Sequence, residues 1–270
     1  MVQGKWLFML FLVAFMMFEI SWTLYRQGAL AWLTLGFVIF GVLQIKTAPY
    51  GRHTRNDWGP LISNRLGWVV MESIVLVVLW YWLWPARYSM STPAWVMAGL
   101  FSFHYVNRSF IFPFRTRTKG KKMPLVIALM AVAFNLVNGS LFGIFFSRFE
   151  NYDLTWFRDI RFIAGSCIFF SGLYINWRAD DILIHLRKPG ETGYVIPRDW
   201  LFNYVSCPNL LGEMIEWLGY AILTWSLPGL VFFLWTCANL IPRAQAHHRW
   251  YHEHFPDYPK ERRIFLPFIW

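Results

Sequence analysis

Apolar runs of about 20 residues recur along the whole of this 270-residue chain, and that is the length a helix needs to cross a bilayer. Eight can be delimited, at about 6–24, 29–45, 65–84, 93–113, 124–146, 159–184, 209–226 and 228–246. They leave no room for a separate soluble domain. Inside lipid every backbone N–H and C=O must be satisfied within the chain, so a spanning segment is a helix or part of a closed barrel. Runs this long and unbroken select the helix. The expected fold is an all-α integral membrane protein, a bundle of seven to eight transmembrane helices with cytoplasmic loops covering a site. Composition points the same way, with 57% hydrophobic and only 15% charged residues, against about 25% charged in soluble domains. The 17 Trp and 12 Tyr suit interfacial belts.

The first run begins after Lys5 and carries Glu19. It lacks a small-x-small cleavage site, so it reads as a retained segment rather than a signal peptide. Arg26–Gln27–Gly28 reads as a short turn into the second run. The net charge of +10 is explained by loop basicity, which gathers on the cytoplasmic side of membrane proteins, and not by nucleic acid. Lys5, Lys46, Arg52, Arg55 and Arg65, the loop Arg115–Lys122, Arg187, Lys188 and Arg198, and the C-terminal tail fall on one side. Arg26, Arg87, Arg148 and Arg158 fall on the other. The C-terminus is therefore expected in the cytoplasm, and the N-terminus with it if all eight runs cross. Cys167, Cys207 and Cys237 have no CxxC spacing and read as small buried residues.

The costly feature is polar. In Ser206–Trp217, SCPNLLGEMIEW, residues Asn209, Glu213 and Glu216 recur at i, i+4 and i+7 and share one helix face. Carboxylates on a membrane-grade helix require partners. After a break at Ser226–Leu227–Pro228–Gly229, the last run ends in Arg243, His247 and Tyr251 at i, i+4 and i+8. Folded back, an acidic stripe can face a basic one and enclose a ligand site; the plain alternative is that the stripes simply pair. Asn176 and Asp180 are i, i+4, with Arg187 further along near the same face, before a stop at Pro189–Gly190. Tyr194, Pro197 and Trp200 lie in the connection that follows, long enough to cover a cytoplasmic site. His104 and Arg108, i, i+4 in FHYVNRSF, read as an interfacial anchor.

No GxGxxG, GxxxxGK[ST] or HExxH occurs, so soluble nucleotide folds and zinc hydrolases are unsupported. His247, His248, His252 and His254 are not expected to hold a metal. Arg, Lys and Tyr converging from several loops suit an anionic dinucleotide, because guanidinium forks match phosphates. Glu72 and Tyr105, set among apolar residues, suit a lipophilic substrate with one polar oxygen. The basic loop Arg115–Lys122 suits anionic lipid or the same anionic ligand.

The stretches YGRHT, FHYVNRSF, LRKPGE, YVSCPNLLGEMIEW, GYAILTWSLP and HHRWYHEHFPDYPKERRIFLPFIW resemble the steroid 5α-reductase family, over about Tyr50 to Trp270, as a bacterial homologue of the vertebrate enzymes. The motifs are shared more loosely with enoyl-CoA and polyprenol reductases and more distantly with isoprenylcysteine methyltransferases. The resemblance implies an inner-membrane reductase that uses NADPH to reduce the Δ4 double bond of a 3-oxo-Δ4 steroid or related enone. It implies that Glu72 and Tyr105 contact the 3-oxo group. It also implies cofactor binding by Asn176, Asp180, Arg187, Tyr194, Asn209, Glu213, Arg243, His247 and Tyr251, with Arg117 and Lys119 as further contacts. The family usually has Gln before that Glu; here Met71 stands in its place. Three parts follow: an extra segment over 1–28, helices over 29–123 that give the substrate pocket, and helices over 124–270 that give the cofactor site. An enoyl-CoA or polyprenol reductase shares this plan. A non-catalytic lipid-binding protein is the reading from another class, without the paired repeats and broken helices of a transporter.

Overall fold

The structure, a computed structural model, describes residues 19–49, 51–55, 57–118, 120–187 and 193–265. Seven long helices carry it: α1 Trp22–Ile45, α2 Asn64–Leu83, α3 Thr92–Val106, α4 Leu125–Ile144, α5 Ile160–His185, α6 Pro208–Thr224 and α7 Leu227–His254. Each matches one of the last seven apolar runs. The first run, at 6–24, lies almost wholly outside the described residues. The chain is an all-α integral membrane protein, and α1, α2, α4, α5 and α7 are each long and apolar enough to cross a bilayer.

The ends follow the local sequence. Ser21 caps α1, accepting from Leu24 N at 3.2 Å, and Ser91 caps α3, accepting from Ala94 N at 3.3 Å. Ser226 caps α7 with Pro228 in its first turn, and Trp225 takes the left-handed conformation that turns α6 into α7. The expected turn at Arg26–Gly28 is absent: α1 runs straight through it, and the boundary placed at residue 28 falls inside a helix. A glycine in a helix costs only about 1 kcal/mol, which the surrounding apolar run offsets. α3 continues through a π turn, Asn107–Ile111, to Arg115. A two-stranded antiparallel ribbon, β1 Leu61–Ser63 with β2 Lys122–Pro124, joins the segments leading into α2 and α4.

Small residues set the closest approach. A methyl group added at Gly172 of α5 would strike the backbone of Glu216, and one at Gly212 of α6 the backbone of Asn176. Gly165 and Gly219 repeat the contact a turn pair away. Bare backbone at both faces lets α5 and α6 touch, the packing that substitutes for hydrophobic drive between helices in lipid. Around this pair the core is aromatic. Phe101 lies 4.7 Å from Phe142 and 5.5 Å from Trp217, which is 4.6 Å from Phe232, centroid to centroid. Of the cysteines only Cys207 is buried; Cys237 is half-buried and Cys167 exposed.

Candidate active site

α1, α2, α3, α4, α6 and α7 line a cavity of about 460 Å³, a size typical of small-molecule sites. Its wall is mainly apolar, including Trp32, Phe134, Trp217, Phe232 and Trp235, with Glu72 from α2, Tyr105 from α3, Glu213 from α6 and Arg243 from α7 set into it. The two residues expected at a substrate oxygen and two expected at a cofactor therefore border one space. Glu72 lies within electrostatic reach of Arg108, Glu213 and Arg243.

From the cavity wall, where Arg108, His104 and Glu213 stand, a buried polar network runs back toward the close α5–α6 contact. Arg108 donates to Asp180 at 3.1 Å and to Glu213 at 2.9 Å. Asn209 donates to the other Asp180 oxygen at 3.1 Å, and Asn176 donates to the Asn209 carbonyl at 2.9 Å. His104 and Glu216, both buried, meet at 2.7 Å. The acidic stripe of α6 thus pairs with α3 and lies against α5, while Arg243 of α7 borders the same cavity as Glu213. His104 and Arg108 are not interfacial anchors: Arg108 neutralises Asp180 and Glu213, and His104 hydrogen-bonds Glu216. Arg108 stands in the π turn of α3, where an extra residue per turn is accommodated.

The stripe of α7 has its partners in the loop Gly51–His53. The Arg52 guanidinium donates to the Tyr251 hydroxyl at 3.1 Å. It also lies 4.5, 4.7 and 5.2 Å from the ring centroids of Tyr251, Trp250 and Tyr194. His53 Nε2 and His247 Nδ1 are 3.2 Å apart, one ring donating to the other. Burial first, and the cations Arg52, Arg243 and Arg249 after it, lower the His53 pKa to about 4. A second, small cavity next to these rings is lined by His53, Asn239, Arg243 and His247. Arg117 donates to the Arg187 carbonyl, and Arg187 to the Gly193 carbonyl at 2.9 Å. Lys119 and Pro189–Gly190 lie outside the described residues. Among the described residues no cluster of three or more His, Cys, Asp or Glu side chains is placed to hold a metal.

The profile of the 3-oxo-5-alpha-steroid 4-dehydrogenase family matches residues 121–270. A steroid 5-alpha-reductase of Gossypium hirsutum is 44% identical over 259 residues, covering 92% of this chain and 95% of its own. The 3-oxo-5-alpha-steroid 4-dehydrogenase 1 of Bos taurus is 41% identical over 247 residues, with 89% and 96% covered. That of Homo sapiens is 39% identical over 246 residues, with 90% and 95% covered. The chain belongs to the 3-oxo-5-alpha-steroid 4-dehydrogenase family. This is an oxidoreductase family. The 92% coverage exceeds the stretch from Tyr50 to Trp270, so the likeness extends to the N-terminal side of Tyr50.

Within this family member, Arg52, His53, Arg108 and Asn135 were not among the site residues expected from the sequence. Arg52 and His53 stand in a short loop with no periodicity to reveal them. For Arg108 a signal existed: an arginine four residues after a histidine inside an apolar run has to be paired.

Proposed function

We propose that this protein reduces the Δ4 double bond of 3-oxo-Δ4 steroids with NADPH, from a site whose cofactor side and C-terminus face the cytoplasm of a bacterial inner membrane. The observation that carries the reading is the single apolar cavity bordered at once by Glu72 and Tyr105 and by Glu213 and Arg243. A lipophilic ring system suits its walls, and one oxygen suits its polar residues. The relatives' own name, steroid 5-alpha-reductase, supplies the substrate class.

The residues present fit a phosphorylated dinucleotide. Asn176 Oδ1 and Arg52 Nη1 are enclosed without a hydrogen-bond partner, an acceptor for a carboxamide and a donor for a phosphate. Asn176, Asp180, Asn209, Glu213 and Arg243 would hold the nicotinamide end. His247, Tyr251, Tyr194, Arg187, Arg117 and Lys119 would hold the phosphates and the adenosine, with Arg52 joining them. The surplus of arginine there supports NADPH over NADH. When bound, NADPH supplies the hydride.

The chain's own groups act on the substrate oxygen. As carbon 5 receives hydride, the double-bond pair moves toward carbon 3 and charge gathers on the 3-oxygen. The Tyr105 hydroxyl donates a hydrogen bond there, where it counts most in the transition state. Glu72 couples electrostatically to that hydroxyl and orients it. A proton taken up at carbon 4 completes the reduction.

The test is NADPH oxidation by detergent-purified protein against 3-oxo-Δ4 steroids, enoyl-CoAs and polyprenols, with product analysis. Steroid-dependent oxidation yielding the 5α product is expected. Turnover of an enoyl-CoA or polyprenol alone would move the protein to that reaction, and failure to bind any nicotinamide nucleotide would make it a lipid binder.

A further inference from the structure

One polar side chain in the cavity wall has no part in the reaction as described. Asn135 and Asn138 stand one turn apart on α4, and both are buried. Asn138 is satisfied at both ends: its Oδ1 accepts from the Trp32 indole at 3.3 Å and its Nδ2 donates to the Phe134 carbonyl at 2.8 Å. Asn135 is satisfied at one. Its Nδ2 donates to the Met71 carbonyl at 2.6 Å, while its Oδ1 is enclosed with no partner. Exchanging the two atoms would set oxygen against oxygen, so the Met71 carbonyl fixes which way the amide points. An enclosed oxygen left unpaired is costly.

The anchor on Met71 brings the amide to the neighbouring Glu72. The two side chains interact, both border the cavity, and Glu72 in turn couples to Tyr105. An amide suits a carboxyl in either charge state: its N–H donates to a carboxylate, and its oxygen accepts from a carboxylic acid. The thioether of Met71, the cavity-lining residue beside Glu72 in the chain, can do neither.

We propose that Asn135 is a positioning residue for Glu72, its Met71-anchored amide holding the carboxyl in register with Tyr105 whether or not that carboxyl carries its proton. The inference rests on the reading of Glu72 and Tyr105 as the pair that meets the substrate oxygen. It places on α4 an amide that the sequence does not provide at position 71.

The test reads Glu72 itself. In infrared spectra of the purified, substrate-free protein, the carboxyl band that Glu72→Gln abolishes reports that side chain. In Asn135→Leu the band is expected to change frequency and its pH titration to move by about one unit or more. Turnover is expected to fall on the order of tenfold to a hundredfold, as a misplaced group costs, with NADPH affinity unchanged. Adding Met71→Gln in the Asn135→Leu background should restore part of both, because it returns an amide beside the carboxyl. If the Leu variant does not accumulate, Asn135→Ser is read by the same band. A band and titration identical to the parent's in a folded variant would overturn the inference, even in an active enzyme. A shifted band in a protein that reduces no enone would uphold the contact while removing the activity reading.

Discussion

At the scale of residues, the site is built from buried polar and charged groups that would be intolerable singly. Arg108 serves Asp180 and Glu213 together, and His104 serves Glu216. The i, i+4, i+7 pattern of Asn209, Glu213 and Glu216 made the acidic face legible in the sequence. Which helices would answer it was not legible, because one-dimensional spacing carries no information about packing partners. His53 illustrates a residue with no periodicity to reveal it and a measurable consequence. Half-buried beside Arg52, its pKa is lowered to about 4, against about 6.5 in the unfolded chain. Between these values the unfolded chain binds a proton that the folded protein refuses. The stability from the neutral His53–His247 contact is therefore complete above about pH 6.5 and is lost as pH falls toward 4. The thermal midpoint in detergent should drop between about pH 7 and about pH 4.5, and His53→Gln should make that drop smaller. An equal drop in both proteins would remove His53 from the account.

At the scale of elements, the apolar runs located all seven described helices, because length and hydropathy are local properties. The extent of α1 escaped them: Arg26–Gln27–Gly28 looks like a turn, yet helix continues through it. The α5–α6 contact was equally hidden, since Gly165 and Gly172 have meaning only opposite Gly219 and Gly212. That contact places Asn176 beside Asn209 and Glu216 within reach of His104. Gly172→Val should force the helices apart at a cost of about 1–3 kcal/mol, the usual penalty of overpacking. A lowered thermal midpoint would show it, together with weaker NADPH binding in the folded fraction. Gly28→Val is the control, since nothing lies within 4 Å of the added carbon. Equal midpoints for the two variants would mean that the glycine contact does not organise the site.

At the scale of the whole molecule, the bundle places an apolar cavity beside a buried charge network and sets a basic, aromatic cluster at the end of α7. The proposed function needs that end in the cytoplasm, and the asymmetry of Lys and Arg supports that orientation. A periplasm-active reporter fused after Trp270 should stay silent; strong signal would reverse the orientation. The cavity draws its lining from both halves of the chain, with α4, α6 and α7 contributing as well as α1, α2 and α3. Periodicity alone could not reveal this; Glu72 and Tyr105 were implied as a pair only by the family resemblance. The claim that this cavity is where an enone is reduced stands or falls on Tyr105→Phe, which keeps the ring and removes one hydroxyl. Turnover of a 3-oxo-Δ4 steroid should fall on the order of a hundredfold, the usual loss for one oxyanion donor, with NADPH affinity unchanged. Combining it with Glu72→Gln should cost less than the product of the two single losses, as groups acting together do. Turnover by Tyr105→Phe at the parent rate would contradict the assignment, because the substrate oxygen would then be met by some other group.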